Sequence, residues 1–280
     1  MPPTIAIIAA GAMGAGVAQC LTAKGVTVLT SLAGRSAESV KRATAAGMQD
    51  ADDGSLAEAD FVLSILPPGE AVALAQRLAP ALAAARRKTT YVDCNAVSPP
   101  TAQAVADVIT PTGCGFVDAG IIGPPPRPGT TNTKFYASGP HARDFAALNE
   151  FGLIVRPLDG PLTAASSLKM PYAGITKGLT ALGATMMLAA ARGGSAEALR
   201  AELAESQPGL LSFFERMVPS MYGKAYRWVA ELDEIAAFVG AERPESAMLS
   251  ASARLYETIA ADVAGDNRET AVLDQFLKSK

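Results

Sequence analysis

Short runs of apolar and β-branched residues alternate with longer segments of helical periodicity through the first 158 residues. The runs fall at 4–9, 26–31, 61–66, 89–95, 115–121, 134–138 and 153–158, and each predicts a strand. Helical patterns separate most of them, for example at 13–24, 69–85 and 99–109. Strand–helix alternation implies right-handed crossovers and a mostly parallel, doubly wound sheet covered on both faces. The unbroken run Ile5-Ala6-Ile7-Ile8 suits a strand buried on both sides.

After Pro157 and Gly160-Pro161 the strand signal stops, and Ala, Leu, Met and Glu dominate. Residues 163–191 read as one helix, roughly 43 Å long at about 1.5 Å per residue. It is apolar on nearly every face, so other helices or a partner subunit must cover it. Pro171 removes one backbone donor inside it and should bend it there. The expected fold is therefore α/β, a doubly wound sheet over residues 1–160 followed by an all-α domain over 161–280, joined by the long interdomain helix.

Composition narrows the functional classes. Of the 280 residues 49% are hydrophobic and 18% charged, which excludes a disordered chain. A net charge of −3 recommends no nucleic-acid partner, and Arg86-Arg87-Lys88 reads as the charge complement of a helix C-terminus. Met-Pro-Pro-Thr has no basic lead-in of a signal peptide, and the apolar stretch 178–191 is too short to span a bilayer. Cys20, Cys94 and Cys114 lack metal-ligand spacing and read as buried thiols of a cytoplasmic protein. His141, the only histidine, follows Gly139-Pro140 and is expected at the surface; a histidine metal site and a Ser-His-Asp triad are thereby set aside.

The chemistry starts directly after the first run, at Ala9-Ala10-Gly11-Ala12-Met13-Gly14. In the dinucleotide fingerprint G-x-G-x-x-G the glycines permit a tight turn, close approach of the pyrophosphate and close helix–strand packing. Ala9 stands at the first position and Gly11 and Gly14 at the other two. Lying between a buried strand and a helix, the motif predicts a Rossmann-type domain whose Ala10, Gly11, Ala12, Met13 and Gly14 hold a pyrophosphate at a helix N-terminus. An NAD enzyme usually carries an acid at the end of the second strand. This chain has Leu29-Thr30-Ser31-Leu32-Ala33-Gly34-Arg35-Ser36 there, so Arg35 with Ser31 and Ser36 would receive a 2′-phosphate, and NADP is expected over NAD.

These residues resemble the β-hydroxyacid dehydrogenase superfamily, which includes hydroxyisobutyrate and phosphogluconate dehydrogenases, glyoxylate reductases and imine reductases. The resemblance is carried by Ala9-x-Gly11-x-Met13-Gly14, Ser64-Ile65-Leu66-Pro67, Asp93-Cys94-Asn95-Ala96-Val97-Ser98-Pro99, Asp118-Ala119-Gly120-Ile121-Ile122-Gly123 and Ser167-Leu168-Lys169, in the family's order. These blocks span about two-thirds of the chain, and the rest looks like a phosphogluconate-dehydrogenase-like C-terminal domain of unassigned function. The resemblance implies hydride transfer between a nicotinamide and a carbonyl/hydroxyl substrate, with Lys169 as proton donor or base. It also implies that Leu66, Pro67 and Asn95 adjoin the cofactor. An apolar setting of Leu168, Met170, Pro171 and Tyr172 suits a lysine whose pKa must fall toward the working pH.

The departures are as specific as the matches. Ala173 stands where the family carries Asn, with Thr176 and Lys177 one turn on as candidate substitutes, and Asn95 replaces a serine. The V-S-G-G loop that holds a substrate carboxylate reads Ile121-Ile122-Gly123-Pro124, without its hydroxyl. The expected substrate residues are Ile122, Gly123, Tyr172 and Thr176, and a small hydroxyacid held in the family's way is not expected. Arg227-Trp228 offers either a carboxylate clamp or an interface, and 124–129 a stiff flap over the cleft. Besides the dehydrogenase reading, two others stay open: an imine reductase and a catalytically silent NADP sensor. A homodimer through the C-terminal helices is expected.

Overall fold

The computed structural model describes residues 2–278, in two compact units, Met1–Met170 and Pro171–Lys280. The first unit opens with β1 (Thr4–Ile8), α1 (Ala12–Thr22), β2 (Thr27–Thr30), α2 (Ala37–Ala45), β3 (Met48–Asp50), α3 (Asp53–Ala57) and β4 (Phe61–Ser64). It continues with α4 (Ala71–Ala84), β5 (Thr90–Asp93), α5 (Pro99–Ile109), β6 (Gly115–Ile122), β7 (Lys134–Ser138), α6 (Ala142–Phe145) and β8 (Val155–Pro157). The eight strands form one sheet in the order β3-β2-β1-β4-β5-β6-β7-β8, with only the β6–β7 pair antiparallel. The doubly wound expectation is borne out.

Alternation along the strands divides the core into two layers. Ile5, Ile7, Leu63, Val92 and Val117 pack with Val17 and Leu21 of α1 and Phe145 of α6. Ala6, Ile8, Val62, Tyr91 and Phe116 face Leu74, Leu78 and Leu82 of α4 and Val105 and Ile109 of α5. Central strands with both faces covered must be apolar at every position, which is why β1 shows no polar alternation.

The helix expected at 163–191 is α7 (Ala164–Arg192), uninterrupted at Pro171. The expected domain boundary at residue 160 follows the last strand, and the two compact units divide ten residues later, inside α7. The second unit continues with α8 (Ala196–Ser206), α9 (Pro208–Met221), α10 (Ala225–Val239), α11 (Ser246–Ala264) and α12 (Arg268–Lys278). Trp228, Leu232 and Ile235 of α10 and Ala253, Tyr256 and Ile259 of α11 are buried, and the Trp228 and Tyr256 rings meet edge to face at 5.2 Å. Lys177 pairs with Glu231 and lies 5.6 Å from the Trp228 ring centre, while Tyr256 Oη donates to the Lys177 carbonyl at 2.6 Å. Among the described residues no helix is long and apolar enough to cross a membrane, and no three His, Cys, Asp or Glu gather as metal ligands.

Candidate functional site

In a parallel sheet the carboxyl ends of the strands carry the ligand, because loops and helix N-termini meet there. Here β1 ends in the fingerprint loop. Gly11 is the N-cap of α1 in extended conformation, and no side chain caps the helix. Gly11 and Ala12 are exposed, so the N–H groups of the first turn are open to an anion. A methyl group added at Gly11 would meet nothing within 4 Å. One added at Gly14 would lie 2.0 Å from the Ala9 carbonyl oxygen. The two glycines therefore serve different ends: Gly14 lets α1 close on the strand, and Gly11 leaves room on the solvent side. Ala9 is absent from the positive-φ residues, so this turn does not use the freedom a first glycine would bring.

One contact at this loop has no signal in the linear motif. Arg42 of α2 donates from Nε to the Ala10 carbonyl at 3.1 Å, and its guanidinium also binds Glu38 at 2.5 Å and Ser39 Oγ at 3.2 Å. Ser31 is buried at the end of β2, and Arg35 is half-buried in the following loop. Among the described residues the Arg35 guanidinium has no ion pair or hydrogen bond. Ser36 is engaged as the N-cap of α2, its Oγ accepting from Ser39 N at 3.3 Å. The acid missing from β2 is supplied by its neighbour: Asp50, at the end of β3, accepts from Leu32 N at 2.8 Å. A cleft of about 380 Å³ lies beside it, lined by Ser31, Ala33, Asp50, Asp52, Asp53 and Arg77 among others.

Further along the edge, Asn95 knits β4 to β5. Its Nδ2 donates to Ser64 Oγ at 2.8 Å and to Asp93 Oδ1 at 2.6 Å, and its Oδ1 accepts from Leu66 N at 2.5 Å. Asn95 is 3% exposed, so its amide shapes the Leu66-Pro67 bend from beneath. Asp93 and Asp118 stand opposite each other in the β5–β6 register, both buried. Burial raises the Asp93 carboxyl to about 7, and burial likewise raises that of Asp118 to about 6. Raised carboxyls make the native state bind protons more tightly than the unfolded chain. The stability they contribute is full below about pH 4 and is lost as the pH rises to about 7. Stability against unfolding should therefore fall by up to about 4 kcal/mol from pH 5 to pH 8, and Asp93→Asn should flatten that slope. A wild-type midpoint that rises over this interval contradicts the assignment.

Lys169 sits on the first turns of α7, where the helix crosses β6. Its Nζ donates to the Ile121 carbonyl at 2.6 Å. A methyl group at Gly120 would stand 3.1 Å from Lys169 Cβ, so this glycine lets the helix lie on the strand. Ile122 is half-buried at the strand's end, and Gly123 (φ 134°) turns the chain so tightly that a Cβ there would reach within 2.4 Å of the Asn132 carbonyl oxygen. Lys169, Ile122 and Gly123 are thus brought to one edge. Tyr172 and Thr176 belong to the second unit, Tyr172 exposed and Thr176 donating to its own helix, to the Tyr172 and Ala173 carbonyls at 3.0 and 3.2 Å. Lys177 is committed to Glu231. The proline segment rests on α1: a Cβ at Gly16 would meet the Pro126 carbonyl oxygen at 2.7 Å. His141 binds Asp144 at 2.9 Å at the surface.

Comparison with known proteins gives this geometry a lineage. Residues 4–150 match the NAD binding domain of 6-phosphogluconate dehydrogenase, and residues 190–259 match a domain of unknown function, DUF1932. An uncharacterized 28.5 kDa protein of Methanothermus fervidus is 31% identical over 159 residues, covering 56% of this chain and 59% of that relative's length. A conserved protein of unknown function, described as structurally similar to 3-hydroxyacid dehydrogenases, superposes with a TM-score of 0.70 at 27% identity, over 93% of this chain and 98% of its own. Two further likenesses, below 25% identity, speak for the fold alone. The 3-hydroxyisobutyrate dehydrogenase of Mycobacterium tuberculosis gives a TM-score of 0.72 at 21% identity over the whole of both chains. An imine reductase of Myxococcus stipitatus, solved with NADP+, gives 0.56 at 17%, over 99% of this chain and all of that one. With more than half its length inside a single family description, the chain belongs to the β-hydroxyacid dehydrogenase superfamily.

Proposed function

We propose that the protein is an NADP-dependent oxidoreductase that interconverts a carbonyl and a hydroxyl group, with Lys169 as the proton donor or base. The observation that carries this reading is the Lys169 ammonium on the Ile121 carbonyl at 2.6 Å, at the carboxyl end of the sheet that also bears the uncapped N-terminus of α1. The bound nicotinamide would supply or accept the hydride. An oxygen gaining negative charge as hydride arrives must be neutralised, and an ammonium at the strand's end can give up a proton to it. In the reverse direction the neutral amine takes the hydroxyl proton.

The residues fit a dinucleotide. Gly11, Ala12 and Met13 would hold the pyrophosphate by their N–H groups, with Ala10 and Gly14 shaping the loop. Arg35, with Ser31 and Ser36 beside it, is the group for a 2′-phosphate, since no acid neutralises it among the described residues. Asp50 pulls the other way, as an anion near the same ribose position, although one of its oxygens is committed to Leu32 N. Leu66 and Pro67 line the approach, held in shape by Asn95.

On the substrate side, Ile122 and Gly123 offer no hydroxyl to a carboxylate, which favours a less acidic, bulkier carbonyl compound; Tyr172 and Thr176, which follow Lys169 along α7, are kept as candidate substrate residues. The same feature suits an imine, the runner-up. Ile175, Leu182 and Met186 are exposed on α7 at 69, 58 and 48%, a helical stripe that fits a second copy of the chain. A homodimer in sedimentation is the expected result. The three cysteines are free and buried, as suits a cytoplasmic enzyme.

The test is a fluorescence titration with NADPH and with NADH, followed by NADPH consumption against ketoacids, ketones and imines. NADPH should bind at least about tenfold tighter than NADH, and Arg35→Ala should remove most of that preference. Equal loss for both cofactors in Arg35→Ala would sink the 2′-phosphate assignment. Binding without turnover on any of the panel would leave a cofactor sensor.

A further inference from the structure

The first turn of a helix has donors that its own backbone cannot satisfy. In α7 the N–H groups of the first three helical residues are all met. Ala164 N donates to Pro161 O at 3.0 Å within the local chain, before Ser167 N closes the first helical bond to Thr163 O. The other two are met by the sheet: Ala165 N donates to Ser138 Oγ at 2.9 Å, and Ser166 N to Asp118 Oδ2 at 2.7 Å. Ser166 Oγ adds a second bond to Asp118 Oδ1, also at 2.7 Å, and Ser138 Oγ ties the chain entering the helix through the Leu162 carbonyl at 2.8 Å. Asp118 and Ser138 face each other in the β6–β7 register. Asp118 is 1% exposed, so its bonds to Ser166 do not compete with bulk water.

The helix that Asp118 grips carries Lys169 three residues after Ser166, about one turn on. On the strand, Gly120 is two residues after Asp118 and faces Ala165 and Lys169, and Ile121 accepts from the lysine. Strand β6 therefore holds α7 at three successive levels: a carboxylate on Ser166, a close backbone approach at Gly120, and a carbonyl on Lys169 Nζ.

Accepting the reading of Lys169 as the proton-transfer group, we infer that Asp118 is a positioning residue for it, acting through both bonds to Ser166 to set the height and rotation of the first turns of α7 against β6. Asp118 touches neither substrate nor cofactor in this role. Its carboxylate serves both contacts with one acceptor oxygen each. In an asparagine one of them passes to Nδ2, which must then face the Ser166 N–H or force the Ser166 hydroxyl to turn from donor to acceptor.

The experiment uses the full-length protein with lysines carbon-13-labelled at Cε, comparing wild type with Asp118→Asn and Ser166→Ala. Lys169 is assigned by its loss in Lys169→Arg. Lys88, whose Nζ binds the Leu82 and Ala83 carbonyls at 3.0 and 2.9 Å, serves as the internal control. The inference expects the Lys169 resonance and its pH titration to move in both variants while those of Lys88 stay. With any carbonyl substrate the panel yields, kcat should fall about tenfold while KM and NADPH affinity stay within about twofold, as misplacement of a reacting group does. A Lys169 signal unchanged in folded variants overturns the inference, and so does a common shift of both lysines. Should Asp118→Asn fail to fold, Ser166→Ala, which deletes only the hydroxyl bond, decides by the same signals. A protein that turns over nothing overturns the oxidoreductase reading separately, because the lysine resonances are read without substrate.

Discussion

Lys169→Ala should lower turnover by about a hundredfold or more while leaving NADPH affinity within about twofold, the size of effect that loss of a general acid produces. The separation of the two quantities is what gives the experiment its force. Lys169 lies on α7 against β6, and the fingerprint loop lies at the end of β1, with β4 and β5 between them in the sheet. Truncating the lysine removes its part-buried bond to the Ile121 carbonyl, one hydrogen bond whose loss costs the fold about 1–3 kcal/mol. Lys169→Arg sharpens the result. A guanidinium keeps the positive charge and reaches the same carbonyl, but it holds its proton far too tightly to cycle it near neutrality. If charge alone stabilised the reacting oxygen, the arginine variant would retain most of the activity. If a proton is transferred, it should be nearly as slow as the alanine variant. Unchanged turnover in Lys169→Ala removes the lysine from the mechanism altogether.

The fold was largely legible because its strongest signals are local. An apolar run as short as Ile5-Ala6-Ile7-Ile8 must be a strand buried on both faces, and a glycine motif after it must be the turn into α1. The missed elements are those whose burial is one-sided. Strand β3 shows three residues, of which only Met48 is buried, so neither length nor alternation betrays it. Helix α2 buries only Ala43, and Val40 is its one large apolar residue, so its apolar face is narrow.

The candidate site divides along the same line. Gly14 could be read from its motif because the backbone it packs on, at Ala9, lies five residues away; Lys169 was visible only as part of a family block, its partner Ile121 being 48 residues distant. The contacts of Arg42, Asp50 and Asp118 could not be read, since their partners Ala10, Leu32 and Ser166 lie 32, 18 and 48 residues away and meet them only through sheet order. Asp50 is the clearest case. No acid stands at the end of β2, whereas the parallel β2–β3 pairing aligns Thr30 with Asp50 and so delivers an acid from the next strand. Asn95 shows the converse: its position in a family block is visible, yet its amide is spent on Ser64, Asp93 and Leu66 within the sheet.

The two fingerprint glycines should separate folding from binding when each is changed to alanine. Gly14→Ala forces a methyl group to 2.0 Å from the Ala9 carbonyl oxygen, a backbone atom just after the buried run Ile5-Ala6-Ile7-Ile8. Neither partner is a flexible side chain, so α1 must lift away from β1, and overpacking of this kind costs about 1–3 kcal/mol. Gly11→Ala meets no atom within 4 Å, and Gly11 has φ −68°, a backbone any residue adopts. Its thermal midpoint should stay close to wild type, since an N-cap alanine costs about 1 kcal/mol at most here, where no side-chain cap is lost. The methyl group would instead occupy the open space beside the uncapped N–H groups of α1. NADPH affinity should fall by about tenfold or more, as it does when a close backbone approach to a pyrophosphate is blocked. Differential scanning calorimetry and the fluorescence titration read the two effects independently. A Gly11→Ala protein that binds NADPH as wild type does would show that the pyrophosphate does not lie over Gly11, and the cofactor site would have to be sought away from the end of β1.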